Sequence, residues 1–296
     1  MHSIGGRIGT RAYGMALVTV AAVLWSTAGL FVRVLHLDVW TILAWRSLFA
    51  ALFLALVAWV QNGRDTLRAI RAAGWPGLAA IPVSAISMGA YVVALKLTTV
   101  ANVMIVYATV PFVAAGVSFL WIGERAGRRV LLASGVALIG IAIMAGFATR
   151  PQDIAGNAVS FLMTLAFGAQ LAMARRYPAL DMAPINAAGA ALCAIISWPL
   201  MAGGIPNADQ LVILALFGTA ITGLVYLVFL TGGRHIPSGE AGLIGLLEVV
   251  LAPFWVWLAF AEQPGLPAII GGGLVLGSVL WHLAGGKRRT KALRSS

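Results

Sequence analysis

Apolar stretches of about twenty residues alternate along this chain with short polar interruptions, and the stretches are continuous rather than alternating at every second residue. That pattern predicts helices and not barrel strands, which would show a two-residue period. Because roughly 20 apolar residues match the hydrocarbon thickness of a bilayer, spans are predicted near 13–35, 39–60, 74–96, 100–122, 129–148, 155–176, 182–203, 209–233, 240–262 and 266–285. The fold class is therefore all-α, a polytopic membrane protein with ten transmembrane helices. The connections are short, so successive helices are antiparallel neighbours. The longest predicted loop, 61–73, carries Arg64, Arg68 and Arg71. The first run follows Arg7 and Arg11 as a signal peptide would, but it is too long and is followed by further spans, so it reads as an uncleaved first helix.

Composition agrees. Of the 296 residues 61% are hydrophobic and 10% charged, and mean hydropathy is +0.96. A water-soluble domain carries about a quarter charged residues. Folded in water, this much apolar surface would form large exposed patches, whereas lipid covers it once every backbone polar group is paired inside a helix. The chain's single cysteine, Cys193, lies in an apolar segment, so no intrachain disulfide forms. No cofactor or metal is expected.

A net charge of +11 raises nucleic acid as a partner, since clustered cations displace counterions from phosphates. No aromatic-basic interleaving accompanies the charge, and nucleic acid is set aside. Its placement is better explained by the retention of Lys and Arg on the cytoplasmic side. With loops assigned alternately, one side receives Arg7, Arg11, Arg64, Arg68, Arg71, Arg125, Arg128, Arg129, Arg175, Arg176, Arg234 and the tail residues Lys287, Arg288, Arg289, Lys291 and Arg294. The other side receives Arg33, Lys96 and Arg150, and Arg46 falls within a span. Sixteen against three places both termini in the cytoplasm of a multi-pass protein of the bacterial inner membrane, a pattern that an odd number of spans would break.

The chain also resembles itself. Trp121-Ile122-Gly123-Glu124-Arg125 and Phe260-Ala261-Glu262-Gln263 each close an apolar run, and eleven residues after each glutamate stands a glycine, Gly135 or Gly273. Pro111 and Pro253 precede those glutamates, and Leu24-Trp25-Ser26 through Arg33 aligns with Ala166-Phe167-Gly168 through Arg175. Two units are expected, 1–149 and 150–296, each of five helices. Because five is odd, the second inserts upside down, an inverted repeat that places a solute site near the midplane between the halves.

Ten spans in two halves, Val23-Leu24-Trp25-Ser26-Thr27 in the first, Trp45-Arg46-Ser47 in the second and Pro111 through Gly123-Glu124-Arg125 in the fourth resemble the EamA-type members of the drug/metabolite transporter superfamily. The Trp25-Ser26-Thr27 opening is similar to its YddG-type aromatic amino-acid exporters. The second half departs from the pattern at Phe167, at Gly189 where an arginine is usual, and at Ala261 before Glu262. The resemblance implies a solute carrier with a cavity lined mainly by spans 1, 3, 4, 6, 8 and 9. Spans 5 and 10, which carry Gly135, Gly140, Gly271, Gly273 and Gly277, are then scaffold. Gly273 and Gly277 have the spacing for close helix contact, within a monomer or across a homodimer.

Charges within spans usually face a cavity or a partner. Arg46 is either a fixed cation for a substrate carboxylate or a structural arginine bonded to backbone carbonyls. Glu248 either binds a proton or a substrate amino group, or stays protonated against a neighbouring helix. Trp25, Ser26, Ser87, Tyr91, Tyr107, Gln170 and Tyr226 share similar depths, and these aromatics serve either as core or as ligand platforms. Trp40, Trp59, Trp75, Trp121, Tyr13 and Tyr177 sit at span ends as interfacial residues. Pro82, Pro111, Pro199 and Pro253 remove helical hydrogen bonds and suggest bends. His36, His235 and His282 have no second ligand at metal spacing, and no zinc, serine-elbow or phosphate-loop motif is present, so an enzyme is not expected. A channel would need a continuous polar stripe that no span shows. The expected partners are lipid and a small-molecule substrate, a neutral or aromatic amino acid by preference, with amphipathic cations as the alternative.

Overall fold

The computed structural model describes residues 2–63, 74–98, 100–145, 154–178, 180–202, 204–260 and 266–294. Among the described residues the chain forms ten helical runs and no strand. Span 1 comprises His2–Trp25 and Ala28–Leu35, span 2 Val39–Asn62, span 3 Gly74–Leu97, span 4 Val100–Tyr107 and Val110–Ile122, and span 5 Arg128–Ala145. Span 6 is Ile154–Arg176, and span 7 is Met182–Ser197 with the 3-10 turn Trp198–Leu200. Span 8 runs from Ala208–Leu216 through the π-helical Phe217–Leu224 to Val225–Gly233. Span 9 is Ser238–Gly245 and Leu247–Phe260, and span 10 is Leu266–Arg294. Among the described residues six helices are long and apolar enough to cross a membrane by length and composition, and Thr10–Trp25 and Ile269–Ala284 are shorter apolar helices. Arg64, Arg68, Arg71, Arg150 and Glu262 lie outside the described residues.

Two ends differ from expectation. Helix begins at His2 rather than near 13, and span 10 continues to Arg294 rather than stopping near 285. Apolarity marks where lipid begins, not where helix begins, and the Lys, Arg and Ala of the tail are good helix formers.

The packing has a two-fold pattern. Span 3 packs on span 6 as span 8 packs on span 1, and span 4 packs on span 6 as span 9 packs on span 1. Spans 2 and 7, 4 and 9, and 5 and 10 pair across the axis. Exchanging each span n with span n+5 therefore maps these contacts onto one another, and an odd repeat of five helices makes the two halves inverted. Local chemistry repeats with it. Asp38 caps span 2, accepting from Trp40 N at 2.9 Å and Thr41 N at 3.2 Å, and Asp181 caps span 7, accepting from Ala183 N at 3.0 Å. Burial alone would raise the Asp38 carboxyl, but bonds from Thr41, Trp40 and Ala202 outweigh it and hold it below the usual carboxylate value. The stability this adds is present above that usual value and is lost as pH falls through the lowered one.

Glycines set the helix spacing. A Cβ on Gly232 would stand 2.8 Å from Gly14 O, and one on Gly140 would stand 2.6 Å from Gly271 O, so spans 1 and 8 and spans 5 and 10 touch backbone to backbone. Gly273 and Gly277 instead face open space on the exposed side of span 10. The close contact within the chain uses Gly271, and the expectation that Gly273 and Gly277 make it is corrected.

Candidate functional site

Three spans lose regular geometry beside one cavity. In span 1 the helix breaks at Ser26 and Thr27, whose hydroxyls bond back to Val23 O at 2.5 Å and Leu24 O at 2.7 Å. In span 4 it breaks at Ala108 and Thr109, with Thr109 Oγ1 on Val106 O at 2.6 Å and Pro111 opening the next segment. In span 9 the break falls at Leu246, whose N–H bonds Leu243 O at 3.2 Å. Pro82 and Pro253, by contrast, stand inside continuous helical segments. Hydroxyls that satisfy the preceding turn offer the backbone an alternative to the α-helix. In span 8 the π-helical turn sends Val225 N–H to Ala220 O, and Trp25 Nε1 donates to Ile221 O at 2.9 Å. Insertions of this kind recur at functional sites.

These irregular segments surround a cavity of about 460 Å³. Its wall includes Trp25, Ser26, Arg46, Tyr91, Tyr107, Tyr226 and Glu248, all named from the sequence, together with Ser87. Spans 1, 3, 4, 6, 8 and 9 contribute, with Arg46 from span 2, and among the described residues none of spans 5 or 10 lines it. Gln170 does not reach the cavity; it is fully buried behind Tyr226, whose hydroxyl donates to its Oε1. Other wall residues escaped sequence reading as site residues, among them Met88, Met104 and Met163, and the aromatic and branched groups Phe167, Phe217, Ile221 and Thr222. Trp255, outside the wall, donates to Ser26 Oγ at 2.7 Å.

The cavity has distinct chemical regions. Arg46 Nη2 reaches Met88 O at 3.4 Å and its guanidinium lies 5.2 Å from the Phe217 ring centroid. Its Nε is buried without a partner, and among the described residues no carboxylate pairs with it. Glu248 and Tyr107 stand together on the cavity wall. Trp25 meets Tyr226 edge to face at 5.6 Å and Phe167 at 6.0 Å, forming an aromatic wall. The thioethers add a soft, adaptable surface. Among the described residues no three His, Cys, Asp or Glu side chains gather as a metal site.

Away from the cavity, the other ends of the spans are tied together. Arg11 Nη2 stands 2.8 Å from Glu240 Oε1 and His282 Nε2 stands 2.9 Å from the same oxygen, joining spans 1, 9 and 10. Arg175 Nε stands 2.8 Å from Glu124 Oε2 and its Nη1 donates to Ile236 O at 2.7 Å, joining spans 4 and 6 to the turn before span 9. Sequence reading counted these arginines only as loop charge and gave His282 no partner.

Inverted five-helix halves around a cavity lined by helices of both halves define a membrane solute carrier. The chain belongs to the EamA-like transporter family, whose description matches residues 12–146 and 154–284. An uncharacterized transporter of Archaeoglobus fulgidus is 26% identical over 269 residues, 90% of this chain and 95% of that one. One protein crystal structure superposes with a TM-score of 0.78 over 91% of this chain and 96% of its own at 19% identity, a likeness of fold.

Proposed function

We propose that this transporter carries small zwitterions with apolar or aromatic side chains, neutral aromatic amino acids foremost, by alternating access. The observation that carries this reading is a guanidinium, Arg46, with no carboxylate partner among the described residues, sharing an aromatic and methionine-lined cavity with the carboxyl of Glu248. A bidentate arginine suits a carboxylate. The carboxyl and polar wall suit an amino group, and the rings suit a planar side chain. Stacking adds only about 0.5–1.5 kcal/mol beyond buried area, so preference is broad. The competing reading is an amphipathic cation, which needs Glu248 and has no use for Arg46. Counterflow in proteoliposomes separates them: L-phenylalanine and L-tryptophan are expected to drive it, and a response to lipophilic cations alone decides for the competitor.

The tied ends carry Arg11, Arg125, Arg128, Arg175 and Arg234, which the retention of basic residues assigns to the cytoplasm of a bacterial inner membrane. The cavity then faces outward and the cytoplasmic side is closed. Reporter fusions at both termini are expected to read cytoplasmic; a periplasmic signal at the C-terminus overturns the even span count. If Glu248 changes protonation during the cycle, Glu248→Gln flattens the pH dependence of flux, and a profile matching the parent removes that role.

A further inference from the structure

Behind the cavity wall a chain of polar side chains crosses four spans, and a single backbone carbonyl fixes its direction. Asn186 Nδ2 donates to Met182 O at 2.8 Å, and since a carbonyl only accepts, the amide orientation of Asn186 is settled. Its Oδ1 therefore faces Ser84 Oγ at 2.7 Å and Gln170 Nε2 at 3.4 Å and accepts from both. Gln170 thus presents Oε1 to Tyr226, whose hydroxyl must donate to it. The phenol proton is then committed, and in the 3.2 Å contact between Tyr226 and Ser87 the proton comes from Ser87. Ser84, Gln170 and Asn186 are fully buried, so no water relaxes the chain at that end. Ser87, on the cavity wall, is left with lone pairs only.

We propose that Ser87 is an acceptor-only contact for the amino group of the substrate, with Gln170 and Asn186 as positioning residues that impose this polarity through Tyr226. The inference rests on the amino-acid reading given above and assigns the substrate's orientation: carboxylate toward Arg46, amino group toward Ser87. A site built to accept a hydrogen bond discriminates against an analogue lacking the donor, because its oxygen is then left desolvated and unpaired.

The test is counterflow of labelled L-phenylalanine in proteoliposomes, with 3-phenylpropionate, its deaminated analogue, as competitor. Ser87→Ala, a one-atom loss on a cavity wall, is expected to raise the half-saturation concentration for phenylalanine about tenfold, as loss of a bond to a charged donor does. Inhibition by 3-phenylpropionate should hold. Gln170→Met should shift the same ratio in the same direction, and Gln170→Glu should restore it, because a neutral carboxyl still donates toward Asn186 and accepts from Tyr226. Equal changes for both compounds in Ser87→Ala, or no change, overturn the assignment of Ser87, as does a Gln170→Glu ratio no better than that of Gln170→Met. Wild-type protein that does not exchange phenylalanine overturns the amino-acid reading and this inference together. Wild-type exchange with an unchanged ratio in Ser87→Ala overturns this inference alone.

Discussion

Arg46→Lys is expected to weaken apparent affinity for a carboxylate substrate at least tenfold while leaving the amount of protein in the membrane unchanged. The guanidinium presents a planar fork that lies near Phe217 and reaches Met88 O at 3.4 Å. An ammonium keeps the charge but loses the bidentate geometry and the ring contact. Charge-assisted hydrogen bonds contribute about 1.5–3 kcal/mol each, which corresponds to roughly ten- to a hundredfold. Arg46→Met, which also removes the charge, should abolish measurable exchange. An apparent affinity unchanged in Arg46→Lys returns Arg46 to a structural role, as an arginine that merely satisfies a helix end.

Glu240→Gln is expected to open the closed end. Glu240 of span 9 holds Arg11 of span 1 and His282 of span 10, and its side chain is 2% exposed while that of Arg11 is 39% exposed. Breaking a fully buried pair costs about 3–5 kcal/mol, and the exposure of Arg11 reduces that to roughly 1–2 kcal/mol, near a tenfold shift in the balance of the two end states. An Ala115→Cys reporter beside this end reads the shift, because the chain's native Cys193 is buried. Maleimide labelling at 115 should rise several-fold in the Glu240→Gln background. Labelling equal to that of the parent would mean that the ion pairs do not hold the closed state.

The large features of this molecule were legible because they depend on composition. Continuous apolar runs gave the ten spans, and the odd repeat gave the inversion. Arg46 and Glu248 stood out because a charge deep in a span has few places to go, and the structure sets both on one cavity. What stayed hidden depends on pairing between distant residues. Nothing in Phe217–Leu224 announces a π turn, and the break at Leu246 follows no proline. Gln170 looked like a ligand because it is polar at the right depth, yet it serves Tyr226 from behind. Gly273 and Gly277 have the spacing of a packing motif, but spacing does not say which face of a helix meets its neighbour, and Gly271 makes the contact. The twin aspartate caps, Asp38 and Asp181, were readable in principle as Asp before an apolar run in each half.

The most direct test of the carrier account is the concentration dependence of L-phenylalanine flux in proteoliposomes, with and without the unlabelled amino acid on the far side. A protein that binds its substrate in one cavity and exposes it alternately should show saturation and trans-stimulation. Flux that rises linearly with concentration, is indifferent to the far side and carries a conductance would contradict that account and describe a pore.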